Sequence, residues 1–172
     1  MILVLNFGGQ YCHLIARRVR DFGVYSDILP FDISLEEIGR LKPSGIILSG
    51  GPSSVYEENA PAINKKILDL GIPVLGVCYG IQLIGKYVGG EVLGGKLKEF
   101  GKKIMNLKNN GRLLKGLSRK EEVWMSHGDL VSKLPEGFKI IASTDSCPIA
   151  AFENNQKKLY GVQFHAEVAH TP

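Results

Sequence analysis

The sequence predicts an α/β protein of three layers, in which a mostly parallel, open β-sheet lies between helices and carries an antiparallel extension in its C-terminal half. Over the first 90 residues, short apolar and β-branched segments alternate with segments of helical period. From residue 91 onward, strand-like segments follow one another directly. The apolar segments are shorter than the roughly 18 residues that a membrane-spanning helix needs, so we expect them to be buried strands.

The first half contains four predicted strands, at residues 2–6, 24–29, 45–49 and 72–77, of which the second is stopped by Pro30 and the third by residues 50–52. Four helices are predicted between and after them, at residues 10–22, 34–41, 60–70 and 80–88. Ser34 and Glu37 form a capping box at the start of the second helix. In such a sheet ligands bind past the carboxyl ends of the strands, so the loops of interest are 7–10, 50–54 and 78–80.

The second half predicts an antiparallel extension, with strands at residues 102–107, 123–125, 139–143, 149–153 and 159–164. Turn-forming residues at 109–111 and 135–137 separate some of them. The sequence shows no linker, repeat or low-complexity stretch, so we expect one domain over residues 1–172. Because residues 170–172 end no predicted element, we expect its C-terminal segment to be incomplete.

Composition narrows the class of protein. The chain has 172 residues, 44% of them hydrophobic, and a net charge of +4 that is mostly scattered. The tightest basic group, Arg17, Arg18 and Arg20, is typical of a solvated helix face, so neither a nucleic-acid nor a membrane partner is expected. Three widely spaced cysteines do not form a disulfide framework, which favours the cytoplasm. The apolar residues 1–5 lack a basic leader and indicate a strand rather than a signal peptide.

The segment GVCYG at residues 76–80 predicts a nucleophile elbow. It has the spacing G-x-C-x-G and lies where a predicted strand passes into a helix, as in serine hydrolases. The glycines allow close backbone packing, and the helix N-terminus favours a thiolate at Cys78. We interpret Cys12, in the first helix, and Cys147, before a proline, as buried structural cysteines.

A thiol nucleophile needs a general base, and His165 is the first candidate. It follows the last predicted strand, and Glu167 two residues later projects to the same side of an extended segment. Glu167 could then orient the imidazole, as the carboxylate of a catalytic triad does. His127 is the rival base, and a surface ion pair is the alternative explanation of the His-x-Glu pattern.

The loop SGGP at residues 49–52 is the expected source of a second oxyanion donor, because its glycines allow close approach to a ligand. A Gly-Gly loop could instead hold phosphate. The sequence has neither a P-loop nor a G-x-G-x-x-G motif, which argues against nucleotide binding in this domain. No cysteine has a second one two residues away, so no metal site is expected.

Together these motifs resemble those of the class I glutamine amidotransferases. The finer segments NFGGQY (6–11), SGGPSSVY (49–56), GVCYGIQ (76–82) and WMSHGD (124–129) are similar to the GMP synthetase branch of that family, and the resemblance covers residues 1–172. It implies a flavodoxin-like class I amidotransferase fold and an enzyme that hydrolyses L-glutamine. The ammonia would pass to an ATP-pyrophosphatase (synthetase) subunit or domain that converts XMP to GMP. ATP and Mg²⁺ would bind to that partner, and no cofactor to this domain.

The resemblance also implies roles for individual residues. Cys78, His165 and Glu167 would form the catalytic triad, with a glutamyl thioester on the cysteine. The expected oxyanion donors and substrate-binding residues are the backbone amides of Gly51 and Tyr79, together with Gln82, Ser126, Gly128 and Asp129.

The chain departs from the family pattern in several places. Ala166 stands where the family has proline between the His and the Glu, which leaves a backbone torsion free, although we expect activity to survive. Asn6 replaces an aspartate. We expect the synthetase to be either a separate subunit or a removed domain, and the family's final strand–helix segment to be missing from this sequence. Three alternatives stay open: a glutaminase for anthranilate, carbamoyl phosphate or CTP synthesis; a cysteine hydrolase or peptidase; and a degenerate regulatory domain.

Overall fold

The structure is a computed structural model, and it describes residues 1–94, 98–108 and 111–171. The predicted turn at 109–111 and the chain end at Pro172 therefore lie partly or wholly outside the described residues. In the first half the elements are β1 (Ile2–Asn6), α1 (Cys12–Asp21), β2 (Ser26–Pro30), α2 (Leu35–Leu41), β3 (Gly45–Leu48), a 3₁₀ helix (Lys65–Asp69), β4 (Val74–Val77) and α3 (Tyr79–Tyr87). In the second half they are β5 (Glu91–Leu93), β6 (Glu99–Leu107), β7 (Lys120–His127), β8 (Leu130–Lys133), β9 (Lys139–Ser143), β10 (Ala151–Asn154) and β11 (Leu159–Val162).

Nine of the described strands form one sheet in the order β2-β1-β3-β4-β11-β10-β9-β6-β7. The pairs from β2 to β11 are parallel, and the pairs from β11 to β7 are antiparallel. The predicted fold class is thus confirmed. β11 joins the two parts of the sheet, because it is the parallel neighbour of β4 and the antiparallel neighbour of β10.

Two hydrophobic clusters lie on opposite faces of the sheet, as a three-layer protein requires. Successive residues of a strand point to opposite faces, and β1 shows this directly. Leu3 and Leu5 belong to the cluster under α2, the 3₁₀ helix and α3, whereas Val4 packs with Cys12 and Ile15 of α1. None of the helices within residues 1–94, 98–108 and 111–171 is long and apolar enough to cross a membrane.

Two local predictions need correction. The helix predicted at residues 60–70 is only a 3₁₀ helix at Lys65–Asp69. Carbonyls of the segment before it accept hydrogen bonds from α3 instead of from helical amides. The hydroxyls of Tyr79 and Tyr87 donate to the carbonyls of Pro61 and Ile63, at 2.6 and 3.2 Å, so those carbonyls are held by α3. The sequence prediction also missed β5 and β8, which pair with each other and with no further strand among the described residues. The predicted N-cap at Ser34 is confirmed, since its hydroxyl accepts from the Glu37 amide at 3.1 Å.

Candidate active site

The turn between β4 and α3 holds Cys78 in a strained backbone conformation. Its φ is 53° and its ψ is −102°, values that a residue with a Cβ adopts only when its surroundings impose them. A Cβ on Gly80 would lie 2.4 Å from the carbonyl oxygen of Leu48, and one on Gly76 would lie 2.4 Å from the backbone of Gly80. The two glycines therefore let α3 pack directly against the strands, with Cys78 at the helix N-terminus.

His165 reaches the same edge of the sheet from the neighbouring strand. It follows β11, and the backbone amide of Cys78 donates to the carbonyl of Val162 at the end of that strand, at 2.9 Å. The two side chains approach each other over Gly50. A Cβ built on Gly50 would lie 3.2 Å from Cε1 of His165 and 3.5 Å from Cβ of Cys78.

Glu167 orients the ring of His165. Nδ1 of His165 lies 2.6 Å from Oε1 of Glu167, and both side chains are almost fully buried. Burial by itself lowers the pKa of His165, but the hydrogen bonds with Cys78 and Glu167, and the negative charge of both partners, raise that pKa to about 10. The ring is therefore protonated at neutral pH and can give a proton to a leaving group.

Backbone contacts fasten the segment that carries His165 and Glu167. The amide of His165 donates to the Trp124 carbonyl at 3.0 Å, and the Thr171 hydroxyl donates to the His165 carbonyl at 2.7 Å. Nε of Arg18 donates to the carbonyl of Glu167 at 3.1 Å. Ala166 between them is exposed. These contacts fix the geometry that a proline at position 166 would otherwise preset.

Two cavities meet at Cys78. The larger has a volume of about 480 Å³, and the smaller, of about 310 Å³, lies on the side of His165. Seven residues predicted from the sequence line the larger cavity: Gly51, Cys78, Tyr79, Gln82, Ser126, Gly128 and Asp129. The structure thus brings together the predicted nucleophile, both predicted oxyanion donors and every predicted substrate-binding residue.

The larger cavity also contains charges that the sequence analysis missed. Glu57 and Lys98 line it together with Asp129. The cavity therefore offers carboxylates and an ammonium, which suits a ligand that carries an ammonium and a carboxylate of its own. Glu57 and Lys98 lie in irregular segments with no local motif, so nothing in the sequence marked them.

Backbone groups of the segment 126–129 form one wall of this cavity. Sγ of Cys78 lies 3.5 Å from the carbonyl oxygen of Ser126. Nε2 of Gln82, one turn into α3, donates to the carbonyl of Asp129 at 2.7 Å. Gln82 therefore lines the cavity and also supports its opposite wall.

The two predicted oxyanion donors, Gly51 and Tyr79, line the larger cavity together with Cys78. Tyr79 begins α3, and the first amides of a helix have no partner within the helix. Because of this position, the backbone N–H of Tyr79 is available to the cavity. The side chain of Tyr79 is buried, and burial raises the pKa of its hydroxyl to about 12. Gly51 follows β3 and lines both cavities.

The remaining cysteines are buried, as predicted. Burial raises the pKa of the Cys12 thiol, and burial together with the charge of Glu99 raises the pKa of Cys147 to about 12. Neither residue lines the two cavities at Cys78.

His127, the rival base, has both ring nitrogens engaged away from Cys78. Nδ1 contacts the carbonyl of Asp129 and Nε2 contacts Oε2 of Glu99, each at 3.0 Å. Burial lowers the pKa of His127, while the contacts with Glu99 and with the Asp129 carbonyl raise it, and burial prevails. His127 is therefore not positioned to take a proton from the nucleophile.

Glu99, His127 and Cys147 place possible metal-ligand atoms within 4.8 Å of one another. The hydroxyls of Thr144 and Ser146 donate to Oε1 of Glu99, while Oε2 contacts His127. Both oxygens of Glu99 and both ring nitrogens of His127 already have partners within the protein. The donors thus fit a hydrogen-bonded network better than a metal centre.

Known proteins resemble this chain in sequence and in architecture. The sequence profile of the family described as glutamine amidotransferase class-I matches residues 3–172. A GMP synthase (glutamine-hydrolysing) of Clostridium botulinum is 56% identical over 171 residues, which are 99% of this chain and 34% of that protein. The enzyme of the same description from Clostridium perfringens is 53% identical over 172 residues, 100% of this chain and 34% of that protein. The chain spans about a third of the length of these curated relatives.

Solved structures agree with this result. A protein of Thermoplasma acidophilum, provisionally described as one subunit of a GMP synthase, has a TM-score of 0.89 and 34% identity, over 99% of this chain and 85% of that one. A glutamine amidotransferase of Thermotoga maritima has a TM-score of 0.77 at 24% identity, over 97% of this chain and 76% of that one, which bears on the fold alone. With a family profile that extends over residues 3–172, the chain belongs to the class-I glutamine amidotransferase family.

Proposed function

We propose that this chain is a glutamine amidohydrolase that supplies ammonia for the conversion of XMP to GMP by an ATP-dependent synthetase. The observation that carries the chemistry is the junction of two cavities at Cys78, with the buried His165–Glu167 pair 2.6 Å apart beside it. A nucleophile, an oriented proton carrier and a polar substrate cavity are the parts that acyl transfer through a thioester requires.

The proposed substrate is L-glutamine, bound in the larger cavity. Lys98 would pair with its α-carboxylate, and Glu57 or Asp129 with its α-ammonium, because charge-assisted hydrogen bonds are favourable in a partly buried site. The side-chain amide would then lie over Cys78. Gln82, Ser126 and Gly128 complete the wall around the amino-acid end.

In the first half-reaction, Sγ of Cys78 attacks the carbonyl carbon of the side-chain amide. The negative charge that develops on the carbonyl oxygen is held by the backbone amides of Gly51 and Tyr79, and one such donor contributes about 3 to 4 kcal/mol in comparable sites. The C–N bond breaks as His165 gives its proton to the departing nitrogen. Ammonia leaves, and a γ-glutamyl thioester remains on Cys78.

In the second half-reaction, His165 takes a proton from a water molecule, which attacks the thioester carbonyl. The same two amides hold the oxyanion. The C–S bond then breaks, and glutamate leaves with the hydroxyl that the water supplied. Glu167 keeps the ring of His165 in one orientation through both steps, because its carboxylate accepts from Nδ1.

The length and the names of the relatives support the proposed partner. Those named GMP synthase are about three times as long as this chain, which matches 34% of each. We propose that the partner is an ATP-pyrophosphatase (synthetase) subunit or domain that binds ATP and Mg²⁺. Three free, buried cysteines also favour the reducing cytoplasm as its location.

The test measures glutamate formed from glutamine by the protein, alone and with the ATP-binding synthetase of a GMP synthase, ATP and XMP. Amide-¹⁵N glutamine reports whether the released nitrogen enters GMP. We expect Cys78-dependent turnover that rises with the partner and its substrates, and no turnover in Cys78→Ala. Hydrolysis that is indifferent to the partner would contradict the GMP assignment and favour another amidotransferase pathway. Absence of Cys78-dependent hydrolysis in both conditions would contradict the glutaminase itself.

A further inference from the structure

A buried chain of hydrogen bonds runs from the antiparallel part of the sheet to the wall of the larger cavity. It begins at Thr144 and Ser146, whose hydroxyls donate to Oε1 of Glu99 at 2.8 and 2.5 Å. Oε2 of Glu99 lies 3.0 Å from Nε2 of His127, and Nδ1 of His127 lies 3.0 Å from the carbonyl of Asp129. The side chains of His127 and Glu99 are 1% and 2% exposed.

The partner atoms determine where one hydrogen of His127 must be. A backbone carbonyl oxygen only accepts, so Nδ1 carries the hydrogen and donates it to Asp129. A single proton then lies between Nε2 and Oε2 of Glu99. Glu99 thus fixes the ring's orientation and its tautomer, as a carboxylate partner does for other functional histidines.

The same carbonyl of Asp129 accepts a second hydrogen bond, from Nε2 of Gln82 at 2.7 Å. One backbone oxygen is thereby held from α3 and from His127. Ser126 is the residue before His127, and its carbonyl lies 3.5 Å from Sγ of Cys78. A shift of His127 would therefore move the wall against which the substrate's amino-acid end would lie.

We infer that Glu99 and His127 are positioning residues for substrate recognition, which hold the segment 126–129 at the distance from Cys78 that a glutamine-shaped ligand requires. This inference rests on the proposed function. His127 lines the larger cavity, but both of its ring nitrogens are engaged, by the Asp129 carbonyl and by Glu99, so the two residues act through that carbonyl. This role explains why a buried histidine and a buried carboxylate lie beside the active site without joining the triad.

His127→Gln is the sharpest variant. A glutamine amide reaches the position of Nε2 and keeps a donor for Glu99, so no buried carboxylate is left unpaired, but it loses the donor to Asp129. We expect kcat/KM for glutamine to fall by about 10- to 100-fold, mainly through KM, because a small misplacement of a binding wall has effects of that size. Glu99→Leu should show the same KM increase. Glu99→Gln should rescue it, because its amide can donate to Nε2 and leave the hydrogen on Nδ1.

Two alkylating reagents separate positioning from general damage. Iodoacetamide needs only an accessible Cys78 sulfur, whereas a diazoketone analogue of glutamine must also occupy the amino-acid site. In the full protein with its synthetase, His127→Gln should lose at least about tenfold in the rate with the diazoketone. Its rate with iodoacetamide should stay within about twofold of the wild type, because the elbow and the triad are unchanged.

Equal losses with both reagents, or an unchanged KM in His127→Gln, would overturn the inference while leaving the glutaminase intact. Failure of the proposed function looks different, because the wild-type protein would then show neither Cys78-dependent hydrolysis nor a preference for the glutamine-shaped reagent. A melting temperature measured for each variant identifies any that has simply unfolded, and the two independent variants at positions 99 and 127 keep the comparison decisive.

Discussion

Replacing Glu167 by glutamine should lower the pKa of His165 without moving its ring. In Glu167→Gln, the oxygen of the new amide would still accept from Nδ1, but the negative charge 2.6 Å away would be gone. An opposite charge at such a distance typically changes a pKa by about 1 to 3 pH units. Starting from about 10, the midpoint of His165 should therefore fall to between about 7 and 9.

The direction of this change in the pKa of His165 follows from three influences on the ring. Burial lowers the pKa of His165, and the two partners, Cys78 and Glu167, raise it. Removing one partner lowers the midpoint, and removing both should leave it below the ordinary value of 6.5, because burial alone then acts. The contribution of the protonated ring to stability is complete below pH 6.5 and is lost as the pH rises through about 10. In Glu167→Gln that loss should be complete at a lower pH, because the folded-state midpoint is lower while the unfolded-state value is unchanged.

The assay is a pH titration of the histidine ring by NMR. The chain has four histidines, and a His165→Gln variant identifies the resonance of interest. The same Glu167→Gln protein should show kcat for glutamine hydrolysis reduced by about 10²- to 10⁴-fold, the usual range for an impaired acid–base group. A midpoint within about 0.5 pH units of the wild type, half the smallest typical change, would refute the role of the Glu167 charge.

Two further predictions concern the elbow and the thiols. Gly80→Ala should destabilise the protein by about 1 to 3 kcal/mol, because the new Cβ would lie 2.4 Å from a backbone carbonyl of β3; thermal unfolding should show a melting temperature lower by roughly 2 to 12 °C. Gly39→Ala is the matched control, since nothing lies within 4 Å of its Cβ, and a loss of the same size there would contradict the steric explanation. Brief treatment of the native protein with iodoacetamide should label Cys78 and leave Cys12 and Cys147 unlabelled, because burial keeps both thiols protonated and inaccessible; labelling at Cys147, detected by peptide mass spectrometry, would contradict the buried network.

The parallel half of the fold could be predicted because its signals are local. Strand and helix periods, the Ser34 cap and the Gly76–Gly80 spacing each lie within a few residues of the structure that they specify. The predicted helix at residues 60–70 failed because a distant element decides its conformation. Tyr79 and Tyr87 of α3 donate hydrogen bonds to carbonyls of that segment, and no local sequence pattern predicts such a contact.

In the candidate site, too, the residues in short local motifs could be predicted and a residue that acts through a distant contact could not. The elbow and the His165–Glu167 pair are short motifs, and their meeting follows once β4 and β11 are neighbours in the sheet. Glu99 was not predicted, because it contacts His127 28 positions further along the chain and at the far end of a paired strand. Its single sequence signal was an acidic residue next to the aromatic Phe100, which is too common to interpret.

The departures from the family pattern have structural substitutes. Asn6 accepts from the amide of Gly8 at 2.8 Å through its side-chain oxygen, as a carboxylate would. At Ala166, the hydrogen bonds of the flanking backbone to Trp124, Thr171 and Arg18 hold the segment in place. Neither change removes a group that the proposed chemistry uses.

Trapping the covalent intermediate tests the central claim most directly. The protein, with its synthetase, ATP and XMP, is mixed with glutamine and quenched in acid within one turnover, and its peptides are analysed by mass spectrometry. The account predicts that the peptide containing Cys78 gains the mass of one glutamyl group, and that Cys78→Ala shows no such adduct. Steady glutamate production without an adduct on Cys78, or production that survives Cys78→Ala, would contradict it.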